Sequence, residues 1–302
     1  MIAFNRRRFL MIAAAAAAVP SGARAAKMAS WRGMALGAGA SMKIVGLGED
    51  EAAPIIKAVE QELLRLERIF SLYRDDSEIS RLNRDGVLVS PSPELLQVLT
   101  LSGALFHASG GTFDPTIQPL WRAIAKGASG DDLAKARESV GWEYLEFNAE
   151  PIRFHGHAGQ RALTLNGIAQ GAITDRIAAL LKSRDLHNVL IDMGEVSALG
   201  TNGGRRWKVG VVKPDGEVVK RLSLSDRAIA TSAPEATRIG PDADVSHILR
   251  PSGEKAVRKL VSVSAPNAAL ADGLSTALCL TDPAQNAALL SHFPQAKIEL
   301  GI

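Results

Sequence analysis

The chain has 302 residues, 46% of them hydrophobic, and carries 35 Lys and Arg against 32 Asp and Glu, a formal net charge of +3. Four arginines and no acidic residue fall within residues 1–25, which leaves residues 26–302 with 31 basic and 32 acidic side chains, a net charge of −1. A nucleic-acid-binding domain needs a basic patch on its folded part, so this balance excludes nucleic acid as a partner. The remaining length can bury a substantial core, as one large domain or two closely packed halves.

The first 25 residues are predicted to be an export signal. Three arginines precede Phe9-Leu10, an apolar run extends from Met11 to Val19, and small residues lead to Ala23-Arg24-Ala25. An apolar run this short does not span a bilayer and is typical of a secretory signal. The paired arginines favour the twin-arginine type, with an ordinary secretory signal or an uncleaved anchor as alternatives. We therefore expect a periplasmic protein whose folded domain is residues 26–302.

From residue 30 onward, helix and strand patterns alternate irregularly. An extended entry strand is predicted from Trp31 to Gly46, and helical spacing of apolar residues follows at 55–69, 95–105 and 171–186. Short apolar runs bounded by Gly, Pro or Asp predict strands at Tyr144–Phe147, Ala162–Leu165, Val189–Ile191, Trp207–Val212 and Leu260–Ser264. A hairpin is predicted where a Pro-Asp-Gly turn separates the runs Trp207–Val212 and Val218–Leu222. This mixture predicts an α+β fold with mixed, largely antiparallel sheets and packed helices.

Two oxygen-bearing side chains, Asp272 and Thr276, lie on the apolar helix predicted to follow its N-cap, Asn267. Positions i and i+4 share one face of a helix, so the carboxylate and the hydroxyl point the same way. A buried aspartate needs a neutralising partner, and two hard oxygens suit a divalent cation such as Mg2+. A local hydrogen bond on a helix surface is the alternative. The single cysteine, Cys279, is predicted to be a buried small hydrophobe.

Five other polar segments interrupt apolar surroundings. The first, residues 70–83, ends the helix predicted at 55–69 in a dense polar turn, which by itself suits a solvated capping region. The glycine pair before Thr112-Phe113-Asp114 would let the backbone approach a ligand, although a plain turn fits as well. Residues 166–171 lie where a strand gives way to a helix, and helix N-termini attract phosphate. The remaining segments are residues 230–234 and the stretch around His247. A lone histidine is usually structural, so the residues alone leave the role of His247 open.

Taken in order, these segments resemble the ApbE-type flavin transferases, the FAD:protein FMN transferase family. The resemblance runs from about Trp31 to the C-terminus and depends on several motifs together. The matching segments are Tyr73–Asn83 (YRDDSEISRLN), 111–116 (GTFDPT), 167–171 (GIAQG), Ala230-Thr231-Ser232, His247-Ile248 and 271–278 (ADGLSTAL). The fold implied is the ApbE-like, T-fold-like α+β architecture.

The resemblance implies an exported enzyme that binds FAD and Mg2+, transfers FMN from FAD to a threonine hydroxyl of a client redox protein, and releases AMP. Asp272, Thr276 and the Ala169 carbonyl would hold Mg2+, and His247 would deprotonate the incoming threonine. The residues implied to hold FAD are Met34, Tyr73, Thr112, Phe113, Asp114 and Gln170.

Several residues depart from the family pattern. Gln170 replaces the usual lysine beside the phosphates, and Arg250 replaces an acid after the histidine, where it could restore the lost charge. The usual Asn-Leu-Gly-Gly-Asp stretch is shortened to residues 192–195 (DMGE). Two other hypotheses therefore stay open: an exported protein that binds FAD without transferring it, and an FAD pyrophosphatase in which water replaces the threonine. The client and the oligomeric state are not specified by the sequence.

Overall fold

The computed structural model describes residues 27–147, 151–156 and 160–302. Its α-helices, in chain order, are α1 (Glu49–Phe70), α2 (Glu78–Asp85), α3 (Pro93–Ala108), α4 (Gln118–Ala125), α5 (Gly130–Glu138), α6 (Ala169–Lys182), α7 (Ala268–Leu280) and α8 (Asn286–Ser291). Its strands are β1 (Met28–Ala35), β2 (Ala38–Val45), β3 (Val87–Leu88), β4 (Leu145–Glu146), β5 (Ile152–Phe154), β6 (Val189–Asp192), β7 (Val196–Leu199), β8 (Trp207–Val212), β9 (Val218–Leu224), β10 (Arg227–Ser232), β11 (Arg238–Ile239), β12 (Val245–Ser246), β13 (Val261–Ala265) and β14 (Lys297–Gly301).

The predicted export signal, residues 1–25, lies outside the described residues and stays a prediction. Within the described part of the chain, no helix has both the length and the apolar character that crossing a bilayer requires.

A seven-stranded sheet with the order β1-β2-β6-β7-β10-β13-β14 is the largest layer, and every neighbouring pair in it is antiparallel. Helices α1, α6 and α7 pack on one face. The hairpin β8–β9 supplies apolar side chains to the other face. Val189 and Ile191 of β6 belong to the helix side, and Leu190 between them joins Trp207 on the hairpin side, as the two-residue period of a strand requires. The predicted α+β class with antiparallel pairing is confirmed.

The single entry strand predicted from Trp31 to Gly46 is in fact two strands. β1 and β2 form a hairpin whose turn is Leu36-Gly37, and both turn residues have positive φ, 46° and 79°. Two-residue turns of this kind match the twist of the flanking strands, and glycine tolerates the backbone they need. The sequence reasoning missed the turn because it contains one glycine within a run of small residues.

The strand predicted at Ala162–Leu165 is also wrong, because a side chain takes the place of a neighbouring strand there. The Asn83 amide donates through Nδ2 to the Leu163 carbonyl at 2.8 Å and accepts the Leu163 N–H on Oδ1 at 2.6 Å. The next N–H, from Thr164, donates to the Pro115 carbonyl at 2.8 Å. These bonds satisfy the backbone without a ladder and fix the segment that leads into α6.

Helices α6 and α7 approach each other so closely that only glycine fits at the contact. A Cβ on Gly171 would lie 2.3 Å from the Ala268 carbonyl oxygen, a backbone atom that cannot rotate away. The absence of a side chain at residue 171 therefore sets the separation of the two helices.

Gly171→Ala should lower the free energy of unfolding by about 1–3 kcal/mol, because the clash exceeds the roughly 1 kcal/mol that alanine gains in helix propensity. Urea unfolding followed by circular dichroism measures the change. Gly39→Ala is the matched control, since no heavy atom lies within 4 Å of its added Cβ and its φ is not positive. A Gly171→Ala protein as stable as the wild type would contradict the packing argument.

Candidate active site

The two packed helices cap each other. Asp175 of α6 accepts the Ala268 and Ala269 N–H groups at the start of α7, at 2.7 and 2.8 Å. Asp272 of α7 in return accepts the Gly171 N–H in the first turn of α6, at 3.1 Å. The first N–H groups of a helix have no partner within it, and its positive N-terminal dipole attracts carboxylates. Each helix thus fixes the position of a carboxylate on the other.

The Asp272 carboxylate is buried, with no positive partner within the described residues. The residue is only 4% exposed, and among the described residues no lysine or arginine forms an ion pair with it. Burial raises the pKa of Asp272 to about 7, and the nearby charge of Asp175 adds to this effect, while the bond from Gly171 opposes it. A carboxylate in this setting is stabilised as an anion once a cation binds beside it.

Two of the three predicted metal ligands, Asp272 and Thr276, lie against the start of α6. Gly167 lies against Thr276, because a Cβ there would be 3.0 Å from Thr276 Oγ1, and Gly171 lies against Asp272. Ala169, whose carbonyl is the third predicted ligand, lies between these two glycines at the start of α6. A buried carboxylate, a hydroxyl and a carbonyl are hard oxygen ligands of the kind that Mg2+ takes, so the residues fit the ion. In the described ranges no group of three or more His, Cys, Asp or Glu side chains could hold a metal, so this set would rely on one carboxylate and neutral oxygens.

Sequence reasoning missed that Glu195 is a buried carboxylate close to Asp272. It recorded this residue only as the end of the shortened stretch 192–195. Glu195 follows Gly194 in the turn between β6 and β7, is buried, and accepts the Thr231 N–H at 3.3 Å. Burial raises the pKa of Glu195 well above its ordinary range, and the neighbouring charges of Asp272 and Asp192 raise it further. The sequence does contain a signal for this burial, because the glutamate lies between two apolar strands.

Gln170 occupies the position between the metal set and that turn. It is only 6% exposed, and its Nε2 has no hydrogen-bond partner within the described residues. A Cβ on Gly194 would lie 2.6 Å from Nε2, so the glycine makes room for the amide. A buried N–H donor left without an acceptor costs about 1–3 kcal/mol, which a bound ligand can recover.

His247 follows β12 and is held in one orientation. Its Nδ1 lies 2.9 Å from the Pro234 carbonyl and 3.0 Å from the Thr237 carbonyl. The Trp121 indole N–H donates to the backbone carbonyl of His247. Carbonyl oxygens only accept, so Nδ1 carries the proton and the Nε2 lone pair is left for another partner. Burial lowers the pKa of His247, which keeps the imidazole neutral near pH 7.

The predicted flavin turn is attached to the far end of α7. Thr112 Oγ1 lies 3.1 Å from Thr281 Oγ1, the residue just after the helix. Phe113 is buried, and Asp114 accepts both the N–H and the hydroxyl of Thr116 at 2.8 and 2.7 Å. Burial also raises the pKa of Asp114. The turn is therefore rigid and anchored to the helix that carries Asp272.

Met34 and Tyr73, the remaining predicted flavin contacts, are 59% and 77% exposed. Met34 lies near the β1–β2 turn, which is attached to α1 because Leu36 N–H donates to Glu67 at 3.1 Å. Tyr73 lies just after the same end of α1. Neither side chain is used in the core, so both are free to contact a ligand.

Arg250, which the sequence suggested could restore the charge lost at Gln170, is paired with two carboxylates in the structure. Its terminal nitrogens contact Glu254 at 2.7 Å and Asp282 at 3.4 Å, so the guanidinium is already paired.

The family model described as the ApbE family matches residues 36–299. The chain belongs to this family. Similar curated proteins are the FAD:protein FMN transferase of Treponema pallidum (strain Nichols), 29% identical over 276 residues (80% of this chain, 76% of that protein), and that of Klebsiella pneumoniae (strain 342), 25% identical over 263 residues (80% and 75%).

Solved structures agree with the fold. The flavin transferase ApbE from Vibrio cholerae superposes with a TM-score of 0.78 at 23% identity, covering 90% of this chain and 93% of that one. The apo form of the Pseudomonas stutzeri flavinyl transferase ApbE gives 0.76 at 24% identity, covering 90% and 91%. Identities this low show the architecture alone.

Without a divalent cation, the melting temperature should fall as the pH rises from about 6.5 to 8. The pKa of Asp272, about 7, and that of Glu195 lie above their unfolded values. The folded state therefore binds more protons, and the stability contributed by these groups is lost as the pH rises through the folded pKa values. The lowered pKa of His247 acts in the opposite direction, but that contribution is complete by about pH 7.

Thermal melts in EDTA across this range measure the slope. Glu195→Gln keeps an acceptor for Thr231 but removes one titrating group and its repulsion of Asp272, so it should flatten the slope. A wild-type melting temperature that rises or stays level would contradict the burial of these carboxylates.

Proposed function

We propose that this protein is a Mg2+-dependent FAD:protein FMN transferase, which moves FMN from FAD to a threonine of a client redox protein and releases AMP. The observation that carries the proposal is the Asp272 carboxylate in a chain of the ApbE family: the helix pair fixes it, and it is buried with no positive partner among the residues that the structure describes. The curated relatives bear the name of this activity.

The reaction exchanges one phosphorus–oxygen bond for another. The client threonine oxygen bonds to the phosphorus of the FMN half, the bond from that phosphorus to the AMP oxygen breaks, and the threonine loses its proton. Asp272, Thr276 and the Ala169 carbonyl would hold Mg2+, which when bound neutralises charge on the pyrophosphate and on the departing AMP.

His247 is suited to accept the threonine proton. The two carbonyls at Nδ1 fix the tautomer, so Nε2 presents a lone pair. The lowered pKa keeps that nitrogen unprotonated at neutral pH, as a general base requires. The bonds at Nδ1 hold the ring and Trp121 holds the His247 backbone, so the ring does not need to be reoriented before the proton transfer.

The FAD would lie between the rigid turn 112–114 and the exposed side chains of Met34 and Tyr73. Apolar and aromatic groups of this kind suit the flavin ring. Nε2 of Gln170, which has no partner in the described part of the chain, can donate to a phosphate or flavin oxygen. A neutral amide gives a phosphate less stabilisation than a lysine would, so binding depends more heavily on the metal.

The proposed location is the periplasm, reached through the predicted twin-arginine signal. The proposed partners are FAD and a client redox protein carrying the acceptor threonine.

One experiment separates transfer from its alternatives. The chain from residue 26 onward is incubated with FAD, Mg2+ and a candidate client redox protein, and the products are separated by mass spectrometry and chromatography. We expect AMP together with a client heavier by one FMN, and no adduct on a client whose acceptor threonine is replaced by valine. AMP with free FMN would indicate a pyrophosphatase, and bound, intact FAD a carrier.

Two variants should fail in different ways. Asp272→Ala removes the only carboxylate of the metal set and should lower turnover by at least about 1,000-fold at any Mg2+ concentration tested. His247→Ala should leave FAD binding within about twofold yet lower adduct formation by roughly 100-fold or more. Equilibrium FAD titration and adduct formation are measured on the same preparations. An active His247→Ala enzyme would overturn the base assignment.

A further inference from the structure

A chain of hydroxyl groups connects β10 to the metal-facing side of α7. Ser232 Oγ lies 2.6 Å from Ser275 Oγ and 3.2 Å from Thr276 Oγ1. Ser275 Oγ in turn donates to the Asp272 carbonyl oxygen at 2.9 Å. We call Thr276, Ser232 and Ser275 the hydroxyl chain.

The direction of each bond in the hydroxyl chain follows from proton counting. A hydroxyl has one proton to donate, and a carbonyl oxygen can only accept, so Ser275 donates its hydrogen bond to the Asp272 carbonyl. Ser275 must then accept a hydrogen bond from Ser232, and this bond uses the one proton of Ser232. Ser232 must therefore accept from Thr276. Thr276 therefore donates to Ser232, Ser232 donates to Ser275, and Ser275 donates to the backbone carbonyl of Asp272.

This direction decides what Thr276 presents to a ligand. Its proton points at Ser232, so the lone pairs of Oγ1 are left for a partner elsewhere. Gly167 adjoins the same oxygen at the start of α6, where a Cβ would come within 3.0 Å. A neutral hydroxyl binds a cation through its lone pairs, and a proton on that side would repel the cation.

We infer that Ser232 is a positioning residue for the metal, because it holds the Thr276 hydroxyl with its lone pairs available to the cation; this inference rests on the proposed function. Ser232 would touch neither the metal nor FAD in this role. It acts by accepting a hydrogen bond from the Thr276 hydroxyl.

Ser232 is itself held firmly enough for this role. It pairs with Val261 across β10 and β13, is buried, and its carbonyl accepts the Cys279 thiol at 3.6 Å. The preceding residue, Thr231, directs its hydroxyl to Ser262 at 3.0 Å and takes no part in the hydroxyl chain. Thr231 therefore provides a matched control: a buried hydroxyl on the same strand with a different partner.

The test is Mn2+ affinity, measured by isothermal titration and electron paramagnetic resonance on the chain from residue 26 onward, without FAD or turnover. Ser232→Ala should weaken Mn2+ binding by about tenfold or more, as loss of a group that orients a metal ligand commonly does. Thr231→Val should leave it within about twofold. Ser232→Thr, which keeps the hydroxyl, should bind Mn2+ more tightly than Ser232→Ala. Circular dichroism and thermal melts show whether each variant is folded.

Ser275→Ala gives a sharper test, because Ser275 is not hydrogen-bonded to Thr276. Without an acceptor at residue 275, the Ser232 hydroxyl can donate to Thr276. The Thr276 proton is then no longer held at Ser232 and can point toward the cation, so Mn2+ affinity should fall in this variant too. A purely local role for Ser232 would leave the affinity of Ser275→Ala unchanged.

The outcomes separate this inference from the proposed function. If Asp272→Ala abolishes Mn2+ binding while folded Ser232→Ala and Ser275→Ala bind it like the wild type, the hydroxyl chain has no role and the metal site stands. If Asp272→Ala also binds Mn2+ like the wild type, the proposed metal site itself is wrong.

Discussion

The reciprocal capping of α6 and α7 is the constraint on which the site depends. Each helix begins where an aspartate of the other accepts its free N–H groups, so neither carboxylate can move without exposing a helix end. Gly171 permits the close approach, and the approach removes Asp272 from water. The same contact therefore stabilises the fold and creates a buried charge that a cation would stabilise.

The close packing also buries several carboxyl groups, whose charged forms are costly to remove from water. Asp175, Asp192, Glu195 and Asp272 all have raised pKa values, chiefly because burial disfavours their charged forms. Neighbouring charges add to the effect, since Asp192 and Asp272 raise the pKa of Glu195 and Asp175 raises that of Asp272. Natural proteins retain such groups where a function needs them, and clusters of perturbed carboxylates are typical of functional sites. The hydroxyl chain and the Gln170 Nε2, which is without a partner across the described ranges, add oriented polar groups to the same region. This fits a site prepared for a charged ligand.

Local patterns in the sequence predicted what depends on local physics. Asn267 caps α7 through the Leu270 N–H, the β8–β9 hairpin forms around its Pro-Asp-Gly turn, and Asp272 and Thr276 share a helix face because of their spacing. The long-range features were not predictable in this way. Asp175 reaches a helix 93 residues further along the chain, and Asn83 replaces a strand for Leu163, 80 residues away. Nothing in the neighbourhood of either residue in sequence indicates its partner.

The most direct test of the central claim is a crystal structure of the protein with FAD and Mn2+, recorded at a wavelength where manganese scatters anomalously. We expect one strong anomalous peak between the Asp272 carboxylate and the Thr276 hydroxyl, close to the Ala169 carbonyl and to the FAD pyrophosphate. Bound FAD with no peak there, or with manganese at Asp192 and Glu195 instead, would show that these residues do not form the metal site.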